Sequence, residues 1–190
     1  MTQLQGFSDY KKEHYEFSGF NTLETSQEKT RFLLHNQRSL AGVLVRQTTY
    51  DLHVATDQDE VVIPKVEVKC HFPEASTEVI TRLIKTDKKA TALGMGPIHA
   101  PAHRYFIKNK TLYPLIRERQ VILLTLLEGE VIKGLLENFS RYDIELKMKG
   151  GVAITVLRHA VYDIRDKKGR CYLKSFQKEA RDWKRSEWYA

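Results

Sequence analysis

Histidines, cysteines and glycines are the first place to look for chemistry in this sequence, and their spacing argues against most of it. His99 and His103 stand four apart, but Pro101 lies between them and spoils the helical geometry a metal-binding pair would need. Cys70 and Cys171 are about a hundred residues apart, and neither has metal-ligand spacing; both are expected as free thiols in a reducing compartment. Gly94-Met95-Gly96 lacks the strand-to-helix context of a phosphate loop, and no Ser-His-Asp or Cys-His grouping is recognisable. No catalysis, cofactor or metal is therefore expected. What remains is charge. The chain carries 31 Lys+Arg against 24 Asp+Glu, a formal +7 with a pI near 9.3. That balance favours an anionic partner, nucleic acid first and a membrane surface second, with a merely basic soluble protein as the plain alternative.

Any such surface must be held by small elements. The 190 residues suit one medium domain or two small ones, and 42% hydrophobic content suffices for packed cores. No apolar run approaches the roughly 20 residues of a spanning helix. Met1 to Tyr10 is polar and has no signal-peptide segment, so a cytoplasmic location is expected. Residues 1–27 show no clear period and read as an N-terminal extension. Five short strand-like segments come next, over 28–72: Arg31 to His35, Ser39 to Val45, Tyr50 to Thr56, Val61 to Ile63 and Val66 to Phe72, the pattern of a small closed sheet. Tyr50, Leu52 and Val54 alternate onto one face. Residues 73–110 read as a linker. Within it, Val79, Ile80, Leu83 and Ile84 predict a helix over Ala75 to Ala90, and Gly94, Gly96, Pro97 and Pro101 interrupt regular structure beyond that helix. A second run over 111–165 begins with a short helix at Leu112 to Arg117. Strands are expected at Val121 to Leu127, Glu130 to Phe139, Tyr142 to Met148, Val152 to Leu157 and Ala160 to Ile164. Residues 166–190 read as a basic tail: a solvated segment, a helix or an RNA-contacting extension.

The two runs repeat each other at an offset of 92. Gly42 precedes Tyr50-Asp51 by eight residues, as Gly134 precedes Tyr142-Asp143, and Pro64-Lys65-Val66 falls on Leu157-Arg158-His159 after a one-residue shift. Leu112 to Ile164 resembles Hfq, the bacterial Sm-like RNA chaperone. The resemblance lies in Arg117-Glu118-Arg119 after a short helix, the Glu128-Gly129 turn, Gly134 in the second strand, Phe139-Ser140-Arg141-Tyr142 opening the third, and Arg158-His159-Ala160-Val161. Glu28 to Phe72 resembles an Sm-like domain more weakly. The resemblance implies a mainly β chain of two Sm-like domains, each a short N-terminal helix on a strongly bent five-stranded antiparallel sheet, a small SH3-like barrel. It also implies a ring in which edge strands pair between units; a tandem chain would close a ring of six domains as a homotrimer.

Carried over position by position, the resemblance implies a pore face for uridine-rich single-stranded RNA. Tyr142 would stack on a base, Arg141 would line the pocket, and Arg158 and His159 would meet base edges and phosphates. Such a division of labour is ordinary for single strands. The structural alternatives are a packing aromatic for Tyr142 and a hydrogen-bonded histidine for His159. In the first run Tyr50 and Lys65 are kept, whereas Val66 stands for the histidine and Thr49 for Arg141. Arg117 and Arg119 keep part of a basic rim, after Ile116. The opposite face is altered, with Thr125 in place of an aromatic, Val131 in place of a basic residue, and Glu130 between them. The implied function is RNA chaperoning and post-transcriptional regulation. The rival is an Sm-like protein–protein scaffold that has lost RNA binding.

Overall fold

Strands dominate because apolar residues recur at every second position: Phe32 and Leu34 point inward from one strand, Leu52 and Val54 from another. The computed structural model describes residues 4–173. Two helices open the chain, α1 (Phe7–His14) and α2 (Gly19–Ser26). Strands β1 (Lys29–Leu34), β2 (Ser39–Gln47), β3 (Asp51–Ala55), β4 (Glu60–Pro64) and β5 (Val68–Pro73) come after them. A connecting stretch carries α3 (Thr77–Leu83), β6 (Lys85–Thr86) and α4 (Lys88–Thr91). Then come α5 (Asn109–Arg117), β7 (Val121–Leu126), β8 (Glu130–Phe139), β9 (Asp143–Lys147), β10 (Ala153–Leu157) and β11 (Val161–Asp166).

Among the described residues all eleven strands belong to one antiparallel sheet, in the order β11-β7-β8-β9-β10-β5-β1-β2-β3-β4, with β6 on β8. The expectation of closed small sheets is thus corrected: the two runs fuse through β5 and β10 into one open sheet with edges at β11 and β4. Fusion satisfies two strand edges that separate units would each leave bare.

Within this sheet the halves share their order and their irregularities. Gly42 pairs with Thr30 and Gly134 with Ile122. Both glycines lie where the bent second strand crosses the third. A Cβ on Gly42 would run into the Ala55 carbonyl, and one on Gly134 would lie 3.0 Å from the Lys147 carbonyl. A β-bulge comes after each glycine, between Leu44 and Arg46 and between Leu136 and Asn138. The fourth and fifth strands are joined in both halves by a single 3-10 turn, Lys65–Glu67 and Arg158–Ala160. Two apolar cores result. One gathers Phe20, Phe32, Leu44, Leu52 and Val54, the other Leu112, Ile122, Leu136, Phe139 and Ile144.

The N-terminal residues, read as lacking a period, form α1 and α2. Ser18 caps α2, and Asp143 of the second half accepts the Gly19 N–H at 2.7 Å. The helix expected over Ala75 to Ala90 is broken. Ile84 turns extended, so that Lys85 and Thr86 can pair with Val131 and Glu130 of β8. Tyr50 does not share the strand face of Leu52 and Val54 as expected: β3 begins at Asp51, and Tyr50 is 78% exposed at the preceding turn.

The joint between halves is charged as well as hydrogen-bonded. Lys69, 1% exposed on β5, reaches Glu128 at 2.6 Å and also Glu130. Burial alone would depress the Lys69 ammonium, but the two carboxylates outweigh it and hold its pKa above the ordinary lysine value. Glu128 also takes the Asn36 N–H at 2.6 Å and contacts His35 Nδ1 at 3.1 Å.

Candidate nucleic-acid interface

Two tyrosines are presented by the same local device. Thr48 Oγ1 accepts the N–H groups of Tyr50 and Asp51, and Ser140 Oγ accepts those of Tyr142 and Asp143. These hydroxyl turns push each tyrosine side chain off the strand face and into solvent. Tyr142 is 48% exposed. Each tyrosine carbonyl then receives a backbone N–H from the basic residue of the next 3-10 turn. Lys65 N donates to Tyr50 O at 2.7 Å and Arg158 N to Tyr142 O at 2.9 Å. The structure therefore brings together Tyr142 with Arg158, and Tyr50 with Lys65, as two equivalent tyrosine–cation corners.

The side chains of those cations are largely engaged inside the chain. Arg158 Nη1 donates to Asn109 Oδ1 and Ser140 O, both at 2.8 Å, and Nη2 donates to Ile107 O. Its guanidinium lies 5.4 Å from the Phe106 ring centre and 6.0 Å from that of Phe139. Burial lowers its pKa, yet a guanidinium so paired stays charged near neutral pH. His159 Nε2 lies 2.9 Å from the Val68 carbonyl across the joint, and burial pulls its pKa down to about 4, so it is neutral at pH 7. Lys65 Nζ donates to Gln47 Oε1 at 2.8 Å and sits 5.8 Å from the Phe20 ring centre; burial lowers its pKa. Arg141 remains exposed, 5.7 Å from the Tyr142 ring centre and 3.8 Å from Glu16. Arg117 and Arg119 are exposed at the end of α5, where Arg117 donates to Gln5 O at 3.2 Å and Arg119 takes φ +50° to end the helix.

A second surface was not evident from the sequence. A groove of about 1100 Å³ opens over β7 and β8, beside the connecting stretch. Its floor is aliphatic, with Val121, Leu123, Val131, Leu135 and Met148. Its walls carry Lys85, Lys88, Lys89, Lys133, Lys147, Lys149 and Arg165, against a single acid, Asp87. Thr125 and Val131, which the resemblance would put on the face opposite the tyrosines, both line it. Lys147 is 3.5 Å from Glu137 and Arg165 is 2.6 Å from Asp163. The β6–β8 pairing puts Lys85, Lys88 and Lys89 here. A stretch read as linker gives no local signal for such a role.

His99 and His103 lie in and beside the Pro101–His103 3-10 turn. Among the described residues no three His, Cys, Asp or Glu side chains are grouped to hold a metal ion, and no helix is long and apolar enough to cross a membrane. Of the basic tail, Lys167, Lys168 and Arg170 fall within the described residues, while Lys174, Lys178, Arg181, Lys184 and Arg185 lie outside them. Comparison with family models, curated proteins and solved structures finds no match to this chain.

Proposed function

We propose that the chain is a tandem Sm-like protein of the Hfq type that binds single-stranded RNA, uridine-rich in preference, and acts as an RNA chaperone without catalysis. The observation that carries this reading is the pair of equivalent corners, where Tyr50 and Tyr142 stand exposed on matching hydroxyl turns. Exposed aromatics stack on splayed bases at about 1–3 kcal/mol per base, and exposed cations track the backbone. Arg141 beside Tyr142 and the lysine-walled groove supply such cations. The two halves repeat strand order, glycine contact, bulge and 3-10 turn, which supports two Sm-like units in one chain. The β5–β10 joint supplies a pattern for assembly. A fourth strand of one unit pairs with the fifth strand of the next, and β4 and β11, the terminal strands of the sheet order, are the remaining fourth and fifth strands. Head-to-tail repetition of that joint by three copies closes a ring of six units.

Fluorescence anisotropy with labelled oligo-U and oligo-A tests the proposal. Tighter binding of oligo-U is expected, with affinity falling as salt rises because phosphate contacts release counterions. Equal or reversed affinities would refute the uridine preference, and no binding to either would refute the RNA reading.

One observation favours a second reading, a protein–protein scaffold. The guanidinium of Arg158 and the imidazole of His159, which the resemblance would set against RNA, hydrogen-bond within the chain. RNA binding unaffected by substitution of both tyrosines, or absent altogether, would make the scaffold the better account.

A further inference from the structure

The fifth strand of each half faces a different neighbour. On β5, His71 pairs with Thr155 and Cys70 with Val156 of β10. The counterparts of His71 and Cys70 on β11 are Ile164 and Asp163. The counterparts of Thr155 and Val156 on β4 are Val62 and Ile63. A second copy docking as β10 docks on β5 would therefore set Val62 opposite Ile164 and Ile63 opposite Asp163. The β4 side is ready for this: Val62 is 55% exposed and Val61 37%, both apolar, on a strand that among the described residues pairs only with β3.

The β11 side is not. After Asp166 the chain reverses through Gly169 at φ +81° and returns along the edge opposite β7. Arg165 bridges Cys171, Asp166 N donates to Arg170 O at 3.0 Å, and Tyr172 N donates to Ile164 O at 2.9 Å. Cys171 Sγ donates to Asp163 Oδ1 at 2.8 Å, and Leu173 is buried in the second core. Ile164 thus gives its carbonyl to the chain's own returning segment at the position where His71 meets β10. One strand edge accommodates one partner strand, because each backbone donor and acceptor on it is used in a single ladder.

We propose that Arg170–Leu173 is a displaceable strap that competes with β4 of a second copy for the β11 edge, so that the strap sets the concentration at which chains assemble. The proposal rests on the head-to-tail self-association described above. It makes the start of the basic tail a regulator of that association, and any ligand that draws the tail away from β11 would favour the ring.

The test uses the native chain, three full-length single variants and each releasing variant combined with Val62→Lys, with mass followed by sedimentation over a concentration series. Tyr172→Pro removes the N–H given to Ile164 and Leu173→Asp removes the core anchor, so each releases the strap by a different route. Val62→Lys charges the acceptor edge. Thermal unfolding identifies any variant that does not fold, and the other releasing variant then carries the test. The expected result is assembly of a released variant at a concentration at least tenfold below that of the native chain, reversed by adding Val62→Lys. Identical concentration dependence for native and released chains would overturn the strap while leaving self-association standing. Monomers throughout, native and released alike, would overturn both.

Discussion

Arg158 and Tyr142 sit in adjacent turns yet have opposite tasks, and substitution separates them. Arg158→Ala leaves the buried carbonyls of Ile107 and Ser140 without their donor, and removes a half-buried hydrogen bond to Asn109. Each orphaned group costs about 1–3 kcal/mol, so a marked drop in melting temperature is expected. Tyr142→Ala and Tyr50→Ala expose no buried polar group. They should leave the melting temperature nearly unchanged while Tyr142→Ala costs about 1–3 kcal/mol of RNA affinity per stacked base, measured by anisotropy. The Tyr142 loss is expected to exceed the Tyr50 loss, because Arg141 stands beside Tyr142 and Thr49 occupies the matching place beside Tyr50. The histidines add a pH signature. Burial lowers the pKa of His71 to about 3 and of His159 to about 4, and that of His35 falls for the same reason. Each is depressed below the unfolded value near 6.5, so the unfolded chain binds protons first on acidification. Stability contributed by the neutral forms is whole above about pH 6.5 and is lost as pH falls toward the folded values. Denaturant midpoints measured at pH 7.5 and 5.5 should fall on acidification, and His71→Asn should flatten the dependence. The Tyr-Asp repeat was legible in the sequence, but both tyrosines were read as strand residues, and the hydroxyl turns that set them off β3 and β9 were not foreseen. The engagement of Arg158 was not, since its partners Ile107 and Asn109 lie about fifty residues earlier in a segment with no periodic signal.

At the scale of elements, strands were readable because alternation and the repeated glycine are local properties. The edges those strands would share were not, because pairing between β5 and β10 joins residues more than eighty positions apart. The short helix α2 was missed for a related reason: only Phe20 and Leu23 of its eight residues are buried, too few for a helical period to stand out. The glycine argument is testable. Gly42→Ala would drive a Cβ into the Ala55 carbonyl and should cost about 1–3 kcal/mol by chemical denaturation, as expected for overpacking. The charged joint makes a sharper prediction. Lys69→Met leaves Glu128 and Glu130 facing each other without their cation and should cost about 3–5 kcal/mol. Adding Glu128→Gln and Glu130→Gln should recover most of that loss, since a neutral joint carries no unpaired charge; no recovery would mean that Lys69 acts through packing alone.

For the whole molecule, the composition pointed to a class of partner, an anionic one, but to no surface that could meet it. Seven cations meet at one groove because β6 folds Lys85, Lys88 and Lys89 of the connecting stretch onto β8, beside four cations of the second half, a tertiary event that charge counting cannot see. Reversing Lys88, Lys89 and Lys133 to Glu should weaken RNA binding for every sequence alike and flatten its salt dependence, as the loss of phosphate contacts requires. The central claim, that exposed tyrosines on equivalent corners meet RNA bases, is tested most directly by photo-crosslinking a 4-thiouridine oligomer to the native chain and mapping the adducts by mass spectrometry. The account predicts adducts at Tyr142 and, more weakly, at Tyr50, both suppressed by unlabelled oligo-U. Adducts confined to other surfaces, or none at RNA concentrations that saturate binding, would contradict it.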